Sequence, residues 1–287
     1  MAPLLKSFAK QILKKAPLFG KISGAIYEAR GQRPWSFGYS LYKFVFIQGM
    51  IGGDLSVFKN ASLPPGYGFR LDERVVEYPW FFSRLKDDAK IILDAGSTLN
   101  HPEILGAKSL AGRVLQIVTL EPEEYKSNHP GVIYSYQDLR KTFFAADSFD
   151  AVVSISTIEH VGMDNAFLYT SGFSGKENAS LAYLDAVKEF KRILKRKGSL
   201  YLTIPFGRHK NHGWFQVFDD TMIQKLIEVF SPQSVRQTYF RYKNHQWNFA
   251  SAQDCRDGDY FDIHKEKKYR QDYLAAARCV ACLELVK

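Results

Sequence analysis

Residues 90–100, which read KIILDAGSTLN, decide the fold. The apolar run at 91–94 has the length and composition of a buried strand, and Gly96 follows it closely. Because glycine has no β-carbon, Gly96 permits a tight turn in which the backbone approaches a ligand closely. The stretch therefore predicts a buried strand that ends in a turn at a binding site.

The chain that follows this stretch alternates between strands and helices. Further strands are predicted at 114–120, 132–136, 149–154 and 199–204, and helices at 101–110 and 181–194. Such alternation indicates βαβ units and a parallel sheet. We therefore expect an α/β protein with a Rossmann-like, mostly parallel sheet.

The two ends of the chain extend this core. Beyond the fifth strand, the pattern predicts a helix at 220–230 capped by Asp219, a strand at 234–242, a polar loop at 244–263 and an antiparallel C-terminal strand at 280–286. Before residue 90 the sequence is aromatic-rich and irregular, with one predicted helix at 39–51. We expect an N-terminal helical extension over residues 1–85 and a sheet domain over residues 86–287.

Candidate binding residues lie directly after the strands, where open parallel sheets hold their ligands. They are Asp94, Gly96, Ser97, Glu121, Asp138, Leu139 and Ser156. A carboxylate at Glu121 can accept two hydrogen bonds from a ribose, and one at Asp138 can accept from an adenine amino group. The dinucleotide pattern G-x-G-x-x-G is absent, which weakens a nicotinamide interpretation.

The order of these residues resembles that of the class I S-adenosylmethionine-dependent methyltransferases. The resemblance covers residues 90–207 and includes the Glu159-His160 pair after the fourth strand. It implies that the loop at 94–97 holds the methionine part of S-adenosylmethionine, that Glu121 holds the ribose and that Asp138 lies by the adenine. One departure is Thr98, which stands where the family usually has a further glycine.

A narrower resemblance is to methyltransferases of bacterial polysaccharide and lipopolysaccharide gene clusters. It is carried by residues 78–80 (YPW), 94–97 (DAGS) and 212–216 (HGWFQ). It implies a small-molecule or sugar acceptor, methylated on oxygen during glycan biosynthesis. Trp214, Trp247 and Tyr260 are then candidates to stack on a sugar face.

Histidines after the fourth and fifth strands suggest a general base. A neutral imidazole can take the proton from an acceptor hydroxyl, and we expect His160 and His212 to serve as catalytic residues in one pocket. Metal binding is the alternative, because some relatives carry Glu-x-x-Glu-His here. Glu159, His160, His209 and His212 would then form the ligand set, although Ser156 replaces the first Glu.

Composition limits the class of protein. The net charge of +9 is spread over short groups, without an arginine-rich tract or zinc-finger spacing, so we expect no specific nucleic-acid partner. Cys279 and Cys282 form a C-x-x-C that could be half a zinc site or a redox pair, but residues three apart on a strand point to opposite faces. Together with Cys255 they are predicted to be buried thiols in a reducing, cytoplasmic compartment.

The N-terminal residues 3–15 form an amphipathic pattern of leucines and lysines. This pattern is typical of a helix packed on its own domain or of one lying on an anionic membrane surface. Two functions thus remain open. One is a methyltransferase, and the other is a non-catalytic binding or scaffold protein of the same fold at a membrane surface.

Overall fold

The centre of the molecule is an eight-stranded sheet. The structure is a computed structural model that describes residues 17–123, 125–166, 168 and 176–287. The strands of the sheet are β1 (Ile91–Ala95), β2 (Val114–Thr119), β3 (Val132–Tyr136), β4 (Phe149–Ile155), β5 (Leu194–Pro205), β8 (Ser234–Lys243), β9 (Gln246–Ala250) and β10 (Cys279–Val286). Their order across the sheet is β3-β2-β1-β4-β5-β10-β8-β9. Two further strands, β6 (Lys210–Asn211) and β7 (Gln216–Val217), form a separate hairpin.

The direction of the strands confirms the predicted fold. Strands β1 to β5 pair in parallel, whereas β10 inserts antiparallel between β5 and β8. The chain leaves β1 toward β2 and β3 on one side and returns to β4 and β5 on the other. The ends of β1 and β4 therefore flank the switch in strand order, where open sheets bind ligands.

Helices cover both faces of the sheet. They are α1 (Pro17–Ala29), α2 (Tyr39–Ile51), α3 (Ser56–Lys59), α4 (Arg74–Arg84), α5 (Pro102–Leu105), α6 (Tyr183–Ile193), α7 (Asp220–Phe230) and α8 (Ala252–Cys255). Asp219 caps α7 as predicted, since its side chain accepts from the Met222 backbone N–H. None of the helices described is long and apolar enough to cross a membrane.

Each face of the sheet carries its own hydrophobic cluster. Successive strand residues point to opposite faces, so Ile92 joins one cluster and Leu93 the other. On the first face, Trp80 of α4 packs edge-on against Tyr201 of β5 with ring centroids 6.3 Å apart. The second face is covered by α6 and α7, with Phe190 fully buried. Helix α4 thus shares a core with the sheet, and the division at residue 85 stays a prediction.

The predicted polar loop at 244–263 was wrong in part, because it contains β9 and α8. Strands β8 and β9 are joined by a two-residue turn in which Asn244 and His245 both have positive φ, at 55° and 63°. Such turns usually carry Asn-Gly, and His245 in place of the glycine hides the signal. Trp247 on β9 is buried and donates its indole N–H to the Leu71 carbonyl at 3.0 Å, so it is not available to stack on a sugar.

The three cysteines are free, buried thiols, as predicted. Cys279 and Cys282 lie on β10 and belong to the hydrophobic clusters on opposite faces of the sheet. This is the consequence of their spacing of three on a strand.

Candidate functional site

A cavity of about 470 Å³ lies at the carboxyl ends of β1 to β4. We call it the first cavity. Of the predicted residues, it is lined by Gly96, Asp138, Leu139, Ser156 and His160. Its position beside the switch in strand order is where the topology favours a ligand. The first cavity is therefore the candidate cofactor site.

Asp94 stabilises the loop after β1 from inside. Its buried carboxylate accepts hydrogen bonds from the Leu99 backbone N–H at 2.8 Å and from the Thr98 backbone N–H and hydroxyl at 3.1 and 3.2 Å. Burial raises the pKa of Asp94 to about 7, although these hydrogen bonds oppose the shift. Thr98 thus has a local role, because its side chain holds the turn closed.

Gly96 lines the first cavity in a conformation that excludes other residues. Its φ is +108°, and a β-carbon there would lie 2.3 Å from the Thr157 hydroxyl oxygen. The next residue, Ser97, also has a positive φ of 60°, and its hydroxyl donates to Glu123. The turn at the end of β1 therefore packs closely against Thr157, and it requires glycine at a position that lines the first cavity.

The acid that lines the first cavity after β2 is Glu123 rather than Glu121. Oε2 of Glu123 accepts hydrogen bonds from Ser97 Oγ at 2.5 Å and from Asn100 Nδ2 at 3.0 Å. These donors tie Glu123 to the loop after β1. Sequence reasoning could not choose between the acids at 121, 123 and 124, and residue 124 lies outside the described residues. The role of Glu121 stays a prediction.

Asp138 and Leu139 lie at the end of β3. Arg140 binds both carboxylate oxygens of Asp138, with Nη2 at 2.6 Å from Oδ2, and also pairs with Glu177. Burial acts to raise the pKa of Asp138, but the hydrogen bonds from Arg140 outweigh it and hold that pKa below its ordinary value. Asp138 is thus ionised at neutral pH, and Leu139 beside it supplies a buried apolar surface.

Helix α4 adds two residues that sequence reasoning missed. Arg74 lines the first cavity and pairs with Glu77 at 2.6 Å. The other oxygen of Glu77 accepts from the hydroxyls of Ser156 at 2.6 Å and Thr203 at 2.7 Å. The one signal in the sequence is an acid three residues after an arginine inside an otherwise aromatic helix. Because Glu77 is fully buried, it anchors Ser156 and orients Arg74.

The geometry of His160 determines its tautomer. Its Nδ1 lies 2.9 Å from the backbone oxygen of Trp214. A carbonyl oxygen can only accept, so Nδ1 carries the proton and Nε2 is left with a lone pair. Burial, with a smaller contribution from the charge of Arg74, lowers the pKa of His160 to about 4, although the hydrogen bond to Trp214 opposes the shift. The imidazole is therefore neutral at physiological pH, with Nε2 able to accept a proton.

His160 and His212 do not share a cavity. His212 lines a second cavity, and its ring is stacked on Phe215 at 4.3 Å, whereas His160 lies 5.9 Å from the same phenyl ring. His209 also lines the second cavity, and its Nδ1 donates to the Val217 carbonyl. Because His160 lines the first cavity and His212 the second, the structure does not place them in one pocket.

The alternative metal set is not assembled either. Among the residues with described positions, no group of three or more His, Cys, Asp or Glu side chains could hold a metal ion. Glu159 is buried beside His160, and one of its oxygens has no hydrogen-bond partner. Burial raises the pKa of Glu159 well above its ordinary value.

Comparisons with known proteins found similar solved structures but no matching sequence. No protein-family model matches the sequence, and no curated protein sequence matches it significantly. Among solved structures, the chain is similar to a Listeria monocytogenes protein whose proposed activity is S-adenosylmethionine-dependent methyl transfer. The identity is 12%, over 74% of this chain and 96% of that one, with a TM-score of 0.44.

Two further structures are similar over about the same region. One is the 1,6-didemethyltoxoflavin-N1-methyltransferase of Burkholderia thailandensis, solved with S-adenosylhomocysteine, at 11% identity over 69% of this chain and 72% of that one, with a TM-score of 0.38. The other is the [4+2]-cyclase SpnF, at 14% identity over 69% and 73%, with a TM-score of 0.37.

Proposed function

We propose that this protein is an S-adenosylmethionine-dependent methyltransferase and that its cofactor binds in the first cavity. One observation carries the proposal. A single cavity lies at the switch in strand order. It is lined by Gly96, in a turn that has no room for a β-carbon, and by the ionisable acids Glu123 and Asp138, which follow β2 and β3. Each feature alone is common in α/β proteins, but together they match the three parts of this cofactor.

The residues that would hold the cofactor follow from their positions. The backbone at Gly96 is open to the methionine part, and Glu123 would accept hydrogen bonds from the ribose through the oxygen that Ser97 and Asn100 leave free. Asp138 and Leu139 would lie against the adenine. Glu123 replaces Glu121 in this proposal because only Glu123 lines the cavity.

For methyl transfer, the protein would mainly have to align the cofactor with the acceptor and remove one proton. Bound S-adenosylmethionine would supply a methyl group on an activated sulfonium carbon to an acceptor oxygen. Nε2 of His160 would accept the proton of the acceptor hydroxyl, while Nδ1 keeps the ring in place against the Trp214 carbonyl. Arg74, held by Glu77, would orient the acceptor at the same edge of the cavity.

We propose a hydroxylated small molecule as the acceptor, with a sugar as the specific candidate. A neutral histidine at the cavity suits a hydroxyl acceptor, and the sugar follows from the resemblance in sequence. Trp214 is half-buried beside His160 at a ring distance of 5.0 Å and remains a candidate to contact the sugar. Membrane contact through residues 3–15 lies outside the described residues and stays a prediction.

Calorimetry with S-adenosylhomocysteine separates the enzyme from the non-catalytic scaffold. We expect saturable binding at one site per chain, because the first cavity is already formed. The matching activity test is transfer of a labelled methyl group to a panel of sugars and sugar derivatives. No detectable heat together with an unchanged melting temperature would favour the scaffold.

We expect Glu123→Gln to weaken S-adenosylhomocysteine binding by about 10- to 100-fold. The substitution keeps the shape but removes the charge that would hold two ribose hydroxyls, which is worth on the order of 1–3 kcal/mol. Calorimetry gives the affinity, and thermal unfolding checks the fold. Glu121→Gln is the matched control, two residues away and outside the cavity lining, and it should bind as the wild type does. If Glu121→Gln weakened binding and Glu123→Gln did not, Glu121 would be the residue that holds the ribose.

A further inference from the structure

A second cavity of about 570 Å³ lies beside the first. It is bounded by the segment after β5, by β8 and by the segment between α8 and β10. The chemistry proposed above does not use it. Its lining is charged, with five Lys or Arg side chains against two Asp. Some of these cations are paired with acidic side chains, and the others carry the excess of positive charge.

Three of the arginines are compensated inside the cavity wall. Arg241 pairs with Asp257 at 2.5 Å, and both Arg270 and Arg278 pair with Asp259, at 2.5 and 2.6 Å. Arg270 and Arg278 have additional acidic partners in Glu266 and Asp272. These three side chains form a structural network, and they are not the source of the unbalanced charge.

Arg208 and Lys210 are the unbalanced cations. Among the described residues, neither side chain has an acidic partner within ion-pair distance, and both line the second cavity. Their backbone is held firmly, since the Arg208 N–H donates to the Gly258 carbonyl at 2.9 Å and Lys210 pairs with Val217 in the β6–β7 hairpin. Two positive charges on a rigid segment at a cavity are a site for an anion.

His212 supplies a second, independent observation. Its side chain is 3% exposed, lines the same cavity and has no hydrogen-bond partner at Nε2. Its Nδ1 faces the Asp262 carboxylate at 3.5 Å, which favours the neutral tautomer with the proton on Nδ1 and a lone pair on Nε2. A buried polar atom without a partner costs about 1–3 kcal/mol, so an unpaired acceptor here indicates that a ligand donates to it.

The two observations together define the chemistry of the ligand. It must offer negative charge to Arg208 and Lys210 and a hydroxyl hydrogen to His212. A phosphate group has both the negative charge and the hydroxyl hydrogen, because at neutral pH a fraction of the phosphate groups carries one P–OH. A phosphorylated sugar adds further hydroxyls. A carboxylate offers charge without a donor, and a neutral sugar offers donors without charge.

We propose that the second cavity binds a phosphate-bearing small molecule, with the phosphate between Arg208 and Lys210 and a hydroxyl donating to Nε2 of His212. The second cavity is distinct from the first, since His212 lines the second and His160 lines the first. The phosphate belongs either to the methyl acceptor or to a separate ligand. Both kinds of ligand present the same phosphate group to the cavity, and a methylation assay distinguishes them.

The first test is calorimetry with inorganic phosphate and with sulfate at constant ionic strength near neutral pH. We expect phosphate to bind more tightly than sulfate, because both are oxyanions of similar shape but only phosphate carries a proton for His212. The preference should disappear in His212→Phe, which keeps the stacking on Phe215 and removes the acceptor. Equal binding of the two anions by the wild type would overturn the role of His212.

The second test separates a site from general surface charge. Arg208→Gln and Lys210→Gln should each weaken phosphate binding by about tenfold, since each removes a charge-assisted hydrogen bond. Both side chains are exposed, so neither substitution endangers the fold. Lys225→Gln is the matched control, an exposed lysine on α7 far from the second cavity. An equal loss in Lys225→Gln, or no binding of phosphate by the wild type, would overturn the proposal.

The source of the phosphate is resolved by incubating the protein with S-adenosylmethionine and glucose 6-phosphate. Mass spectrometry then shows whether the sugar phosphate has gained a methyl group. Methylation assigns the second cavity to the acceptor, and binding without methylation assigns it to a separate ligand. S-adenosylhomocysteine affinity is measured in the same variants and should be unchanged, so failure of the anion site and failure of the methyltransferase proposal remain distinguishable.

Discussion

Replacing His160 with Gln should lower the rate of methyl transfer by about 10²–10⁴-fold and leave S-adenosylhomocysteine affinity near that of the wild type. The glutamine amide can still donate to the Trp214 carbonyl, so the local structure is retained, but no lone pair of comparable basicity replaces Nε2. Single-turnover rates with saturating cofactor measure the loss. A decrease of only a few-fold would mean that water or another residue takes the proton.

His212→Gln is the comparison variant for this experiment. Because His212 lines the second cavity and not the first, its substitution should leave the rate with an unphosphorylated acceptor unchanged. Both variants and the wild type should also be assayed with a chelator. Loss of wild-type activity in the chelator alone would assign the histidines to a metal ion.

The pH dependence of the wild-type rate follows from the environment of His160. Since burial lowers its pKa to about 4, the base form is present throughout the neutral range. Protonation of His160 should therefore not affect the rate above about pH 5. The rate should fall as the pH drops through about 4, because His160 then becomes protonated. Sequence reasoning alone predicts a rise through the ordinary imidazole range, and the burial of His160 shifts that rise to lower pH. A titration near the ordinary pKa of histidine in the rate profile would contradict the assignment.

The second large effect concerns Gly96. We expect Gly96→Ala to abolish measurable S-adenosylhomocysteine binding. It should also lower the free energy of unfolding by more than about 1–3 kcal/mol, which is the typical cost of a strained positive φ. The reason is that the new β-carbon would lie 2.3 Å from the Thr157 hydroxyl oxygen, so the turn must move away from β4. Calorimetry and urea unfolding measure the two losses.

Gly112→Ala is the matched control for backbone strain. Gly112 also has a positive φ, at 72°, but nothing lies within 4 Å of a β-carbon there. It should therefore lose stability from strain alone and keep its affinity for S-adenosylhomocysteine. Adding Thr157→Ala to Gly96→Ala removes the two nearest atoms and should restore part of the binding. If Gly96→Ala binds as well as Gly112→Ala, the turn is not part of the cofactor site.

The candidate site was predictable to different degrees at different residues. Gly96, Asp138 and Ser156 were found because they directly follow buried strands, and strands are recognised from local sequence. The choice of Glu123 over Glu121 was not predictable, since it depends on hydrogen bonds from Ser97 and Asn100 on another strand's loop. Asp94 was predicted as a cofactor-binding residue; its carboxylate accepts hydrogen bonds from the backbone of its own loop, and its contact with the cofactor stays a prediction.

The sequence by itself determined seven of the eight strands of the sheet, with β9 missed, because hydrophobic periodicity, caps and glycine turns act over a few neighbouring residues. It also determined that Cys279 and Cys282 are buried on the two faces of one strand. Only the tertiary structure decided which side chains meet at the site. Glu77 reaches Ser156 across 79 positions and Thr203 across 126, and His160 and His212 line different cavities. Such contacts depend on the packing of distant segments, and no local pattern encodes them.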